Sequence, residues 1–152
     1  MFPMVQTLHR ASISFFRKVL SAPEIKPYLE RLRQHHTESY SHSMRVGLLS
    51  LDLGLDEKLD DDSLFLLGQA SLLHDVGKLN IPATILSKRG SLDVQERTIM
   101  DEHPTHGFTL LETLPDPRIR QIAVAHHEYK PSPYPRHHAE RRHDARDAMD
   151  RR

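Results

Sequence analysis

The sequence contains no cysteine, which excludes a disulfide framework and any thiolate metal site. A transition ion in this chain would have to be held by histidine and carboxylate. Net charge is missing too, because 21 basic side chains offset 21 acidic ones. No global field therefore directs the chain to nucleic acid or to an anionic membrane. No apolar run exceeds five residues, far short of the roughly 20 that a spanning helix needs. The first twenty residues interleave His9, Arg10, Arg17 and Lys18 with apolar side chains, unlike a signal peptide. The expectation is a soluble, cytoplasmic protein. No stretch alternates with period two among β-branched residues, and no internal repeat is evident, so no sheet is expected.

What is present is helical periodicity in a chain of 152 residues, enough for one domain with a real core. Residues 4–20 place Leu8, Ser12, Phe15, Phe16 and Val19 on one side. A second helix covers 24–34, with Ile25, Leu29 and Leu32 inside. Thr37 is placed to cap a third, in which Glu38, His42, Val46, Leu49 and Leu53 share a face and Gly54 is a plausible stop. Asp60-Asp61-Asp62-Ser63 opens a fourth, suited to the helix dipole and without EF-hand spacing. That helix is read as reaching Val76 and breaking at Gly77. A short helix ends at Leu86, and Lys88-Arg89-Gly90-Ser91 is a basic, solvated turn. Asp93 caps a helix from Val94 to Glu102, and His103-Pro104 marks a break. Helices at 105–114 and 118–127 follow. The fold class expected is all-α, a bundle of about seven helices. Residues 1–35 form N-terminal helices, 36–129 a domain, and 130–152 a tail. From 131 onward there is no Leu, Ile, Val or Phe, a composition that cannot order itself by burial.

The organising stretch is Ser71-Leu72-Leu73-His74-Asp75-Val76-Gly77-Lys78-Leu79. Ionisable groups beside Leu72, Leu73 and Val76 are costly to bury unless paired, and a metal would pair them. The unusual residues are Glu38, His42, His74, Asp75, Lys78, His103, His126 and His127. Each has a plain alternative. Glu38 in a first turn, and Lys78 or the His126-His127 doublet at a helix end, suit the helix dipole. His42 can be a satisfied core residue and His103 a loop residue. His106 is read as structural, and His137, His138 and His143 as solvated. Imidazole with carboxylate suits iron, manganese, cobalt, nickel or zinc rather than magnesium or calcium. One aspartate can offer an oxygen to each of two ions. Two ions about 3.5–4 Å apart can share a hydroxide and clamp a phosphoryl group. Lys78, three residues from Asp75, faces the same place and suits a phosphate oxygen.

Five ordered blocks carry a resemblance. They are His42-Ser43-Met44-Arg45-Val46-Gly47, Leu72-Leu73-His74-Asp75-Val76-Gly77-Lys78, Ile85-Leu86-Ser87-Lys88-Arg89-Gly90, Met100-Asp101-Glu102-His103-Pro104 and His126-His127-Glu128. In order and spacing they resemble the HD superfamily of metal-dependent phosphohydrolases, and within it the HD-GYP branch, over about three-fifths of the chain. The resemblance implies an all-α domain, two or three divalent ions (iron or manganese foremost), and hydrolysis of cyclic di-GMP by metal-bound hydroxide. It implies His42, His74, Asp75, His103, His126 and His127 as ligands, with Glu38 as the extra ligand of three-metal members. Asp75 and Lys78 are the implied catalytic groups, with Lys78 at the substrate phosphate. A diguanylate cyclase or another signalling protein is an implied partner, and a second copy of the chain a further candidate.

Two departures accompany it. The branch's D-G-x-G-Y-P loop reads here Lys130-Pro131-Ser132-Pro133-Tyr134-Pro135, with proline fixing φ where glycine leaves it free. The family's last aspartate ligand lies on a further helix that is not apparent. Asp144, Asp147 and Asp150 are at a suitable distance but in solvated surroundings, so a truncated domain is expected. Two other readings stay open: a phosphohydrolase of another nucleotide, and an inactive module with a sensory or interaction role.

Overall fold

The computed structural model describes residues 10–127. Among them are eight α-helices and no strand: α1 (Arg10–Leu20), α2 (Lys26–His35), α3 (Thr37–Asp56), α4 (Asp61–Leu73), α5 (Ala83–Leu86), α6 (Val94–Met100), α7 (His103–Leu110) and α8 (Pro117–Val124). Short 3-10 segments cover Val76–Asn80, Leu111–Thr113 and Ala125–His127. The all-α expectation holds. Leu8, the loop around Tyr134, the tail histidines and Asp144, Asp147 and Asp150 lie outside the described residues.

α4 is the central helix. Leu64, Gly68, Ala70, Leu72 and Leu73 are buried along it, and α1, α3 and α8 pack around it. Leu51 of α3, Val19 of α1, and Ile119 and Ala123 of α8 complete a core with Val76 and Leu111. Prolines fall where they cost least. Pro27, Pro104 and Pro117 sit in the first turns of α2, α7 and α8, where the missing N–H has no helical partner.

Local chemistry explains most helix starts. Asp60 accepts from Ser63 N at 2.8 Å. Asp93 and Glu96 form a reciprocal capping box, and the Glu96 carboxylate also takes Lys88 Nζ at 2.5 Å, which ties down the basic turn. The cap of α3 is not Thr37. His36 Nδ1 accepts from Ser39 N at 3.2 Å, so a ring nitrogen does the work expected of a hydroxyl.

α3 also corrects the sequence pattern. Its Leu49 and Leu53 face outward, 59% and 62% exposed. The buried face is Ser39, Ser43, Gly47, Leu51 and Gly54. The reason is close approach. A Cβ on Gly47 would fall 2.8 Å from Leu72 Cδ2, and one on Gly54 2.8 Å from Leu64 Cδ2. The small-residue face, rather than the apolar stripe, lets α3 seat against α4. Gly54 is thus a packing position inside the helix, and the chain reverses beyond it at Lys58, whose φ is +57°. α4 ends at Leu73 rather than Val76, which leaves His74 and Asp75 in the turn before the 3-10 segment.

Candidate metal centre

That early end of α4 brings the two residues out of helical register. Ser71, near the helix end, has a carbonyl with no intrahelical partner to expect, and His74 Nδ1 donates to it at 2.7 Å. The same device recurs twice. His103 Nδ1 donates to Met100 O at 2.7 Å, and His126 Nδ1 donates to Ala123 O at 2.8 Å. Each imidazole is therefore hooked to a carbonyl three residues back, at the end of α4, α6 or α8. The hook keeps the proton on Nδ1 and leaves Nε2 as a lone pair.

Those lone pairs converge on Asp75, which is 3% exposed. Its Oδ2 lies 3.3 Å from His74 Nε2, 3.8 Å from His42 Nε2 and 2.6 Å from Lys78 Nζ. Its Oδ1 lies 3.4 Å from His103 Nε2 and 3.6 Å from His126 Nε2. His127 Nε2 approaches His103 Nε2 to 3.1 Å. Two groups result, His42–His74–Asp75 and His103–His126–His127, each with its ligand atoms within 4.8 Å of one another. The carboxylate stands between them with one oxygen toward each. His74 and His103 are buried, whereas the His42 side chain is 48% exposed and opens the site to solvent.

The donor set fits a pair of cations. With both Nδ1 atoms holding their protons, His103 and His126 turn bare Nε2 lone pairs toward each other at 3.4 Å. That arrangement is repulsive without a positive charge between them. Five imidazoles and one carboxylate, with no sulfur, match borderline first-row ions.

The electrostatics agree with a site built for cations. Burial opposes ionisation of Asp75, yet hydrogen bonds from His103, His126 and His74 outweigh it and hold the carboxyl well below the usual range. Loss of hydration, then the neighbouring His126 and His103, lower His127 to about 4. Desolvation likewise lowers His42. Neutral imidazole is the form that ligates.

Of the residues singled out in the sequence, His42, His74, Asp75, Lys78, His103, His126 and His127 come together. Glu38 does not join either group. It is exposed, one turn before His42 on α3. Lys78 reaches the site, with Asp75 as its partner. The sequence reading missed the carbonyls of Ser71, Met100 and Ala123. Their signal was available, since His74, His103 and His126 each follow the end of an apolar helix.

An all-helical domain with a carboxylate shared between two histidine groups defines a metal-binding phosphohydrolase-type architecture. The chain belongs to the HD domain family, whose model matches residues 27–142. It is 36% identical over 122 residues to a cyclic di-GMP phosphodiesterase of Thermotoga maritima, covering 74% of this chain and 32% of the relative. It is 38% identical over 94 residues to the cyclic di-GMP phosphodiesterase response regulator RpfG of Xanthomonas campestris, covering 59% and 24%. It is 37% identical over 94 residues to 3'3'-cGAMP-specific phosphodiesterase 2 of Vibrio cholerae, covering 60% and 18%. The chain thus spans about a third or less of the length of these relatives. No solved structure matches. No helix among the described residues is long and apolar enough to cross a membrane.

Proposed function

We propose that this chain is the metal-dependent hydrolytic part of a cyclic-dinucleotide phosphodiesterase, acting on cyclic di-GMP or the related 3'3'-cGAMP. The observation that carries the reading is the Asp75 carboxylate, with one oxygen facing each histidine group. His42, His74 and Asp75 would hold one divalent ion, and Asp75, His103, His126 and His127 the other. Iron or manganese suits this donor set best, with zinc, nickel and cobalt compatible. Glu38, on the open side beside His42, is the group nearest in sequence for a third ion. Bound ions supply Lewis acidity and a nucleophile at neutral pH.

The chain's own residues do the rest. The carbonyl hooks hold three imidazoles in place before any ligand arrives, so little reorganisation remains at the moment of reaction. Lys78 Nζ is 2.6 Å from Asp75, and its side chain is 21% exposed, so it can reach a non-bridging phosphate oxygen. The exposed His42 edge is the entry for a ring too large for a closed cavity. In the reaction water adds across one P–O bond of the ring, which opens to a linear dinucleotide with a terminal phosphomonoester.

The test is chromatography of cyclic di-GMP and 3'3'-cGAMP after incubation with the chain and Mn²⁺ or Fe²⁺. Linear product is expected, and Asp75→Asn should abolish it. Tight ion binding without cleavage of either compound would refute the assignment while leaving the metal site standing.

A further inference from the structure

Between Asp75 and Lys78 sits Gly77, and its surroundings are unlike those of any other glycine among the described residues. A Cβ there would lie 1.7 Å from His103 O, 2.8 Å from His103 C and 2.5 Å from Gly107 N. These are backbone atoms of the first turn of α7, the turn that carries His103. They cannot swing aside as a side-chain tip can. On the opposite side of the same contact, a Cβ on Gly107 would meet Gly77 N at 3.5 Å and Gly77 Cα at 3.8 Å, ordinary van der Waals distances. The two glycines are a natural pair: same interface, opposite tolerance.

We propose that Gly77 is a positioning residue that sets the spacing between the two histidine groups and so decides whether Asp75 can serve two ions. The inference rests on the metal-site reading above and goes beyond it by assigning the spacing to a residue that ligates nothing. The magnitude follows from the distances. Real Cβ contacts need 3.0 Å, so an added methyl must move α7 from the 3-10 segment by about 1.3 Å. Carried to the site along the line of contact, this widens the 3.4 Å from Asp75 Oδ1 to His103 Nε2 to about 4.7 Å. Two atoms bound to one first-row ion at about 2.1 Å each are at most ~4.2 Å apart. The carboxylate would keep its ion on the His42–His74 side and lose its reach to His103. No loss of charge, ligand or hydrogen bond is involved, only of separation.

The experiment is Mn²⁺ loading of the full chain, read by metal content and by the electron paramagnetic resonance line shape. The wild type should take up two ions with the dense pattern of a coupled pair. Gly77→Ala should hold one, with the simple hyperfine pattern of an isolated ion, and Gly107→Ala should resemble the wild type. Circular dichroism checks the fold. If Gly77→Ala is unfolded, Gly107→Val decides, since its branch carbons push the same interface from the other side and should also cost the second ion. A folded Gly77→Ala with a coupled pair overturns the inference, as does loss of the pair in Gly107→Ala. So does a coupled pair in Gly107→Val where Gly77→Ala is unfolded. A wild type that binds no ion overturns the metal-site reading itself, and this inference with it.

Discussion

Asp75→Asn separates the two duties of the carboxylate, holding Lys78 and holding ions. In the metal-free protein the direct loss is the contact to Lys78 Nζ at 2.6 Å. At an effective dielectric of about 20, opposite charges at that distance attract by roughly 6 kcal/mol. Desolvation of both groups offsets most of this. Removing one partner of a fully buried pair costs about 3–5 kcal/mol. Lys78 keeps some access to water, with 21% of its side chain exposed, so the expected loss is smaller, about 1–3 kcal/mol. In a domain of this size that lowers the melting temperature by about 3–10 °C. The metal-loaded comparison is larger in kind. An ion at a hundred times its dissociation constant stabilises the wild type by about 2.7 kcal/mol per site. The variant loses an anionic ligand from both sites at once, and most of that gain with it. The assay is thermal unfolding with a chelator and again with Mn²⁺. The reasoning is refuted if the variant melts with the wild type under chelation and still gains the full increment on adding Mn²⁺.

Lys78→Met should leave metal content unchanged and lower kcat for cyclic-dinucleotide cleavage by roughly 10²–10³-fold, as steady-state kinetics would measure. Leu72→Ala removes a side chain with no exposure at the α3–α4 contact, and should cost about 2–5 kcal/mol in denaturant unfolding. Gly47 beside it allows little collapse into the void, which favours the upper part of that range. His36→Ala deletes the bond from Ser39 N and should lower stability by about 1 kcal/mol, whereas His36→Asn, with another acceptor, should restore most of it.

The site was more legible than the packing. His74, Asp75, His103, His126 and His127 stand out in the sequence because ionisable groups at the ends of apolar helices need an explanation. Lys78 was placed by simple spacing. Glu38 was placed by resemblance, and it stands apart from both groups in the structure. The helices themselves were visible from period and caps, except where two signals compete. In α3 the leucines announce a stripe, but Ser39, Ser43, Gly47 and Gly54 form the buried face, because the distance between two helices is a tertiary quantity that no single-helix pattern contains. Gly77 has the same character. Taken alone it reads as a helix breaker, and only the backbone of α7 lying against it gives it another meaning.

The carbonyl hooks under His74, His103 and His126 have one further consequence. Ser71, Met100 and Ala123 contribute main-chain oxygens, so a point replacement at any of them leaves the acceptor in place. What can dislodge an imidazole is a change in where its helix stops. Inserting or deleting a single residue near the close of α4, α6 or α8 would rotate the last free carbonyl by about a hundred degrees and carry it out of reach. The site is thus forgiving of spelling and strict about length.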